Sequence, residues 1–547
     1  MNSRWQAWIV SLLVLLGLGV YWPALTARFT SDDFYLLRAV RAGGPLGLWA
    51  DSRGEWFRPV ISLSLYADDR LWHGQPAGFH ATNVWAHTLC AVLVGVVTML
   101  LLGVRGAEQG SNRRAALLAG GLFLVLPCHS EAVSWVSGRT DVLASAFALG
   151  AAVAFLVARE RRGWGPVCLL LLLAALLSKE STIVLPAVFL ALEVGRRGAA
   201  ALRSGRPARL LWASLAVTLL ALGARRLALG RWVGGYGAHV HLNLDPRVPA
   251  LNLLLFPART VLPYLPLDWL PAGLPLARVQ DGFHRALGVG RGPLLVVAIG
   301  ALGVLAWLTV SFLRRRRAHG PGFPLGALGT SAVCYGILLI PVLPLRVSLV
   351  NTQGERFLYL PSAFLCMALA TLLARRLRSL PVLLGAAAAL LVFYSASLVR
   401  ENRDWRAAGA IYSRAVEDLG VMAPGQPVVL LNLPDHLNGA YVFRNGLDEA
   451  CRMQLGDRAP SRISVAVFHT LLTPDDRVSV TSEPQGYRLR LETPGAAFLS
   501  RQASSLRSAE PDGARVEDAG PQTVRLTLAA PGRVTAWFSA GSLHRLR

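Results

Sequence analysis

The sequence predicts a polytopic α-helical membrane protein, with about eleven spans and one re-entrant or interfacial segment, ending in a small β-rich extracytoplasmic domain. Three observations lead there. Hydrophobic residues make up 53% of the 547 and charged residues only 16%, and the mean hydropathy is +0.45. Many apolar runs approach the roughly 20 residues that a helix needs to cross a bilayer. The 55 basic residues, arginine in every case but Lys179, gather between those runs. A formal charge of +23 would suggest nucleic acid in a soluble chain; here the arginines fix orientation in the lipid bilayer, so nucleic-acid binding is set aside. The skew towards arginine points to a GC-rich bacterial genome, and so to the inner membrane.

Apolar segments fall near 5–24, 81–103, 114–127, 141–158, 165–178, 181–195, 209–224, 248–270, 293–313, 325–345, 357–374 and 380–399. Arginine clusters at Arg105/Arg113/Arg114, Arg159/Arg161/Arg162, Arg196/Arg197/Arg203/Arg206/Arg209, 314–317 and Arg375/Arg376/Arg378 mark cytoplasmic connections. With Arg4 inside, the first seven segments alternate. A full crossing by the eighth, 248–270, would put the run at 314–317 outside. Its Pro257, Pro263 and Pro266 fit a re-entrant or interfacial segment that roofs a site. Residues 1–27 share features with a secretory signal, but the spans that follow favour an uncleaved first span.

Three parts follow: a transmembrane part at 1–400 with a long first outer loop at 25–80, an amphipathic linker helix at 401–424, and a soluble β-rich domain at 425–547. Strand-like runs are "PVVLLNL", "RISVAVF", "RVSVTS", "YRLRLET" and "TVRLTLAAPGRVTAWF", the last reading as a hairpin around "APGR". Six scattered cysteines show no CxxC and no metal-ligand spacing, and read as small apolar packers.

Chemistry gathers on the connections assigned to the outer face. "FTSDDFYLL" places Asp32 and Asp33 just after the first span, either as a helix cap provided by Ser31 or Asp32, or as a general base with a supporting acid. His80, Asn83 and His87 share one helix face at i, i+3 and i+7, as hydrogen-bonded core residues or as ligands. "HSEAVSWVSGRTD" adds His129, Glu131, Arg139 and Asp141, whose ion pairing is open to a purely structural reading. "SKES" adds Lys179 and Glu180, and "GERFLYLPS" adds Glu355, Arg356 and Tyr359. For each cation the plain alternative is snorkelling to the interface. Adjacent carboxylates with His129 offer a divalent metal ion some ligands, though no spacing demands one.

Acids, histidines and cations from five connections thus converge on one side. Cations suit a phosphate, and a carboxylate suits a hydroxyl whose proton must leave. Nucleotide sugars are absent outside the cytoplasm, so a group transferred there arrives on a carrier made inside. A polyprenyl phosphate carrying a sugar meets that demand.

The motifs "DDFYLL", "FRPV", "FHATNVWAHTL", "LPCHSEAVSWVSGRTDVLA", "LLSKESTIVLPAVFLALE", "GERFLYLPS" and "NRDWRAAGAIYSRAV" resemble, in order, the membrane half of the tetratricopeptide-carrying transmembrane O-mannosyltransferases and their bacterial relatives. These are GT-C superfamily glycosyltransferases, and the match covers about residues 1–435. The resemblance implies a GT-C-like catalytic part that moves a sugar, mannose-like hexose favoured, from a polyprenyl-phosphate donor to an extracytoplasmic acceptor hydroxyl of a protein or glycan, with inversion. It implies Asp32 as base with Asp33 beside it, and Glu131 orienting the acceptor or a metal. Lys179, Arg139 and Arg356 would neutralise the carrier phosphate. His80 and His87 would line the sugar or phosphate pocket, and Asn83, His129 and Glu180 fall in the same motifs. The eukaryotic members continue into tetratricopeptide repeats where this chain has a β-rich domain, so protein Ser/Thr as acceptor is an extrapolation.

Two rivals stay open: transfer of an aminosugar or pentose to lipid A or a cell-wall glycan, and a transporter or flippase of lipid-linked sugars. The second expects polar residues at the bilayer midplane.

Overall fold

The computed structural model describes residues 3–51, 56–103, 109–198, 205–230, 247–263, 326–345, 348, 351–377, 379–484, 486–499, 514–518, 522–528 and 534–546. Among these, five helices are long and apolar enough to cross a membrane: Pro76–Leu102, Val136–Ala158, Arg206–Leu229, Glu355–Arg376 and Leu380–Met422. A sixth span arises if Gln109–Val125 and Pro127–Ser134, bent by 58°, count as one. Pro127 explains that break, because it has no amide hydrogen to continue the helical ladder. Shorter apolar helices cover Ser11–Val20, Trp164–Leu176 and Gly326–Leu339. The expected span at 293–313, the loop at 231–246 and residues 264–270 of the expected segment 248–270 lie outside the described residues; before them, Arg247–Val261 is helical with Pro257 inside it.

Proline and glycine set the boundaries the sequence suggests. Pro76 and Pro207 sit in the first turns of their helices, where a missing amide hydrogen costs nothing. Apolar side chains of the bundle form one buried core running through Val94, Phe123, Phe155, Phe189, Leu339 and Phe364. The helix Arg206–Leu229 by contrast is only 11% buried over its apolar window and presents Trp212, Leu220 and Leu227 outward. A soluble protein does not expose such a face; a lipid-facing helix does.

Residues 401–422 are helical, as expected of the amphipathic helix at 401–424, and continue the preceding apolar segment. Leu380–Met422 is one unbroken helix of 43 residues, about 65 Å long at 1.5 Å per residue. Its composition changes at 400, but residues 386–408 contain neither glycine nor proline, so nothing stops the helix there.

The C-terminal region holds two sheets. The first runs β10(Ser542–Arg545), β9(Val534–Ser539), β1(Pro427–Leu437), β3(Arg462–Leu471), β6(Phe498–Leu499), with β2(Ala440–Tyr441) on β1. β1 lies parallel to both β3 and β9, and its near-continuous burial is that of a central parallel strand. The second sheet, β4(Val478–Glu483), β5(Gly486–Leu491), β8(Thr523–Leu528), β7(Ala514–Asp518), is antiparallel. The hairpin expected around "APGR" does not form: β8 pairs with β5 and β7, whereas β9 pairs with β1 and β10 in the other sheet.

The β region and the connection at 25–80 share one apolar core. Phe34, Leu37 and Leu65 pack in a single cluster with Trp405 and Tyr412 of the long helix and Leu430, Phe443 and Phe538 of the sheet. One approach is so close that only glycine fits. A Cβ on Gly446, whose φ is +80°, would lie 2.2 Å from the carbonyl oxygen of Ser31. Gly446→Ala is therefore expected to lower the melting temperature, through both backbone strain and displacement of Ser31. Gly456→Ala, at φ +56° with open space around it, should cost the strain alone; equal shifts for the two would remove the packing argument.

Candidate active site

The helix Asp32–Gly43 starts after Ser31, whose φ of 50° is unusual for a residue with a side chain. Neither Ser31 nor Asp32 caps it. Asp33 reaches back instead, accepting from the Thr30 amide at 3.1 Å and, across to the next connection, from the Ser137 amide at 3.0 Å and hydroxyl at 2.7 Å. Burial pushes its carboxyl up to about 7 despite those bonds. Native Asp33 thus keeps its proton well above the ordinary 3.8, unfolding releases it, and stability falls as pH rises across that window. We expect the melting temperature of detergent-solubilised protein to drop from about pH 4 to about pH 7, and Asp33→Asn to make that slope shallower. An unchanged slope would remove Asp33 as its source.

Asp32 points the other way. It accepts from the side-chain amide of Asn445, and Oδ2 has no further protein partner among the described residues. Burial raises its pKa, outweighing the Asn445 bond and the nearby charges of Arg444 and Arg356 that lower it. Glu131 is occupied: Oε2 accepts from the Arg356 amide at 3.0 Å, and Oε1 accepts from the Arg356 guanidinium and, at 2.9 Å, from the Tyr441 hydroxyl. Arg444, held by Asp435 at 2.7 Å, lies 4.3 Å over the Tyr441 ring. Tyr441, Arg444 and Asn445 belong to the C-terminal region, and the sequence reading missed all three; an Asn-Gly pair signals a turn but not what the turn touches.

A second charge group adjoins the first. Lys179, 4% exposed, pairs with Asp141. Its Nζ sits 5.2 Å from the Phe357 ring centre, and the Arg356 guanidinium sits 4.7 Å from the same centre. The two cations are therefore within about 10 Å of each other. A narrow cleft beside Lys179 is lined by Asp141, Leu338, Val342, Phe357 and Leu360. Next along the chain, Glu180 is gripped by Arg58 at 2.6 and 3.1 Å and approached by Arg225 at 3.6 Å. Burial works against ionisation of Glu180, but the two guanidiniums bring its pKa down to about 2. Arg58 sits in the quoted "FRPV", yet its partner was not legible.

Other expected site residues are placed elsewhere. Arg139 is fully buried and paired with Asp68 at 2.8 Å, and its guanidinium lies over the Phe79 ring. His87 bonds the Tyr359 hydroxyl at 2.6 Å and the Leu124 carbonyl at 3.0 Å. His129 bonds Ser362 at 2.8 Å and packs against Phe123 and Tyr359. Both rings sit in a closed aromatic cluster, not an open pocket. Asn83 donates to the Val133 and Trp135 carbonyls, fixing the connection that carries Glu131. His80, one turn before it, is buried too. Among the described residues no three His, Cys, Asp or Glu side chains gather as a metal site. Glu131, Asp33 and His129 have the partners given above, so these residues do not fit a divalent ion, and the reaction proposed below uses none.

The fold and this cluster define an integral membrane protein whose charged site is shared between helix connections and a β region. No protein-family model matches the chain. In sequence it is similar to the protein O-mannosyl-transferase Tmtc1 of Drosophila melanogaster, 33% identical over 184 residues that make up 30% of this chain and 20% of the fly protein. A protein O-mannosyl-transferase of Mus musculus is 27% identical over 362 residues, 57% of this chain and 46% of that one. One of Caenorhabditis elegans is 24% identical over 439 residues, 74% and 57%. The chain thus spans from about a fifth to somewhat over half the length of these curated relatives. They bear out its resemblance to the transmembrane O-mannosyltransferases. Among solved structures, the Archaeoglobus fulgidus oligosaccharyltransferase aligns with a TM-score of 0.45 and 13% identity, covering 83% of this chain and 62% of that one. ArnT from Cupriavidus metallidurans, bound to undecaprenyl phosphate, aligns with 0.41 and 18%, covering 90% and 99%.

Proposed function

We propose that the protein is an inverting membrane glycosyltransferase that moves a hexose, mannose favoured, from a polyprenyl phosphate to an acceptor hydroxyl, with protein Ser/Thr as the first candidate. The observation that carries this reading is the pairing of an available carboxylate, Asp32, with a cationic stretch around one aromatic ring, Phe357. The site would lie on the extracytoplasmic side of a bacterial inner membrane, where a lipid carrier is the available source of activated sugar.

In the reaction Asp32 takes the proton of the acceptor hydroxyl through its open oxygen, and the acceptor oxygen bonds to the anomeric carbon as the bond from that carbon to the phosphate oxygen breaks. A carboxyl with a raised pKa is a better base for this step than an ordinary aspartate. Lys179 and Arg356 hold the departing phosphate, whose growing charge they stabilise. Single displacement inverts the anomeric centre.

The test is made in liposomes with a synthetic polyprenyl-phosphate mannose carrying a radiolabelled sugar, with and without a periplasmic extract. Label leaving the lipid only when extract is present supports transfer, and the labelled product names the acceptor. Label that crosses the bilayer still attached to lipid would replace this reading with a transporter.

A further inference from the structure

The segment Asp435–Gly446 enters the cluster from the C-terminal region and braces both connections that carry its charges. Asn445 donates to Asp32. Tyr441, 3% exposed, donates to Glu131 at 2.9 Å and accepts from Arg356 at 3.0 Å. Arg444 stacks on Tyr441 while Asp435, fully buried, holds it. Besides the contact of Gly446 with Ser31, a Cβ on Gly439, at φ +103°, would lie 2.6 Å from the Thr352 amide nitrogen. The same segment therefore touches the backbone just before Asp32 and the backbone just before Arg356. A domain that only hung from the membrane part would need neither approach.

We propose that Asn445 and Tyr441 are positioning residues of the transfer site, holding the carboxylates of Asp32 and Glu131 from the C-terminal domain. This rests on the transfer reaction proposed above. Among the described residues the side-chain bond to Asp32 comes from Asn445, so the direction of its other oxygen is set from the β region. Tyr441 acts on Arg356 and Glu131 together, fixing the distance between an acid and a cation that flank the place where acceptor meets donor. Asn445 touches Asp32 and not the cations assigned to the donor phosphate, so its loss should appear in turnover and leave donor affinity alone, whereas Tyr441 also bonds Arg356 and its loss reaches both.

The experiment uses the full chain in liposomes with the same radiolabelled polyprenyl-phosphate mannose and extract. Asn445→Ala and Tyr441→Phe are expected to lower kcat by about tenfold or more, the scale of one hydrogen bond to a charged group. For Asn445→Ala donor KM should stay within about twofold and the melting temperature close to wild type, and Asn445→Gln, which keeps the amide donor, should recover part of the loss. Arg525→Ala, which removes an exposed ion pair with Glu483 in the second sheet, should match wild type. Wild-type kcat in Asn445→Ala and Tyr441→Phe, in preparations where Asp32→Asn is inactive, would overturn the positioning role and leave the transfer reaction standing. A rise in donor KM with kcat unchanged would also overturn it. Equal label release by wild type and Asp32→Asn would overturn both.

Discussion

Asp32→Asn is expected to abolish sugar transfer while the lipid-linked donor still binds. The substitution is nearly isosteric, and the new amide oxygen can go on accepting from Asn445, so the turn into the helix is spared. What is lost is the ability to take a proton, which accounts for about 10²–10⁴-fold in rate where a positioned base is used. Asp33→Asn provides the contrast. That side chain accepts from Thr30 and Ser137 on both oxygens, and an amide would turn an N–H towards the Thr30 amide, so its damage should appear as lost stability with turnover per folded molecule kept. Single-turnover loss of label, beside equilibrium binding of the donor, separates the two. Wild-type turnover by Asp32→Asn would end the base assignment, and a loss confined to donor binding would make Asp32 a ligand.

Why one of two adjacent carboxylates meets Asn445 and the other Ser137 is a matter of helix phase. Consecutive residues in a helix point about 100° apart, so "DD" guarantees that only one can face any given partner, without saying which. The structure decides it through Ser137, which belongs to a connection more than a hundred residues away. The same limit applies to the cations. Charge type and motif placed Lys179, Arg139 and Arg356 near the right connections, but the carboxylates that claim them, Asp141, Asp68 and Glu131, are fixed by tertiary contact. Arg139 shows the consequence: a buried guanidinium must be paired, and a sequence does not reveal whether the partner is a ligand or an aspartate such as Asp68, seventy-one residues earlier.

The apolar runs and most strands were legible because burial imposes a period on the residues themselves. Strand partners were not. Alternation in "TVRLTL" and "RVTAWF" says that each is half-buried, and two such runs around a Pro-Gly turn look like a hairpin, yet β8 and β9 go to different sheets. The change at residue 400 is one of polarity and not of backbone: it falls where the helix leaves the apolar layer, while backbone hydrogen bonding continues through Asn402 and Trp405. Asn402 turns inward there, accepting from Ser130 and Ser134 and donating to the Val20 carbonyl. A polar residue in a quoted motif was thus a structural rivet, which only its neighbours identify.

Lys179→Met should cause two losses that a second substitution can separate. Lys179 and Asp141 are both nearly buried, and removing one partner of such a pair leaves an uncompensated charge at a cost of about 3–5 kcal/mol. The single variant is therefore expected to melt early and to bind donor weakly, and weak binding by itself would not show a phosphate role. Lys179→Met combined with Asp141→Asn removes the orphaned carboxylate and should restore most of the melting temperature. Donor affinity should stay low, because Arg356 then stands beside Phe357 without the second cation that Lys179 supplies. Lys179→Arg preserves charge but replaces a compact ammonium with a planar fork that reaches further, so it should retain stability better than affinity. Binding of the radiolabelled donor and thermal melting, measured on the same preparations, decide the matter. If the double variant binds donor as wild type does, Lys179 is an ion pair in the wall of the cleft, and the phosphate must be held by Arg356 without it.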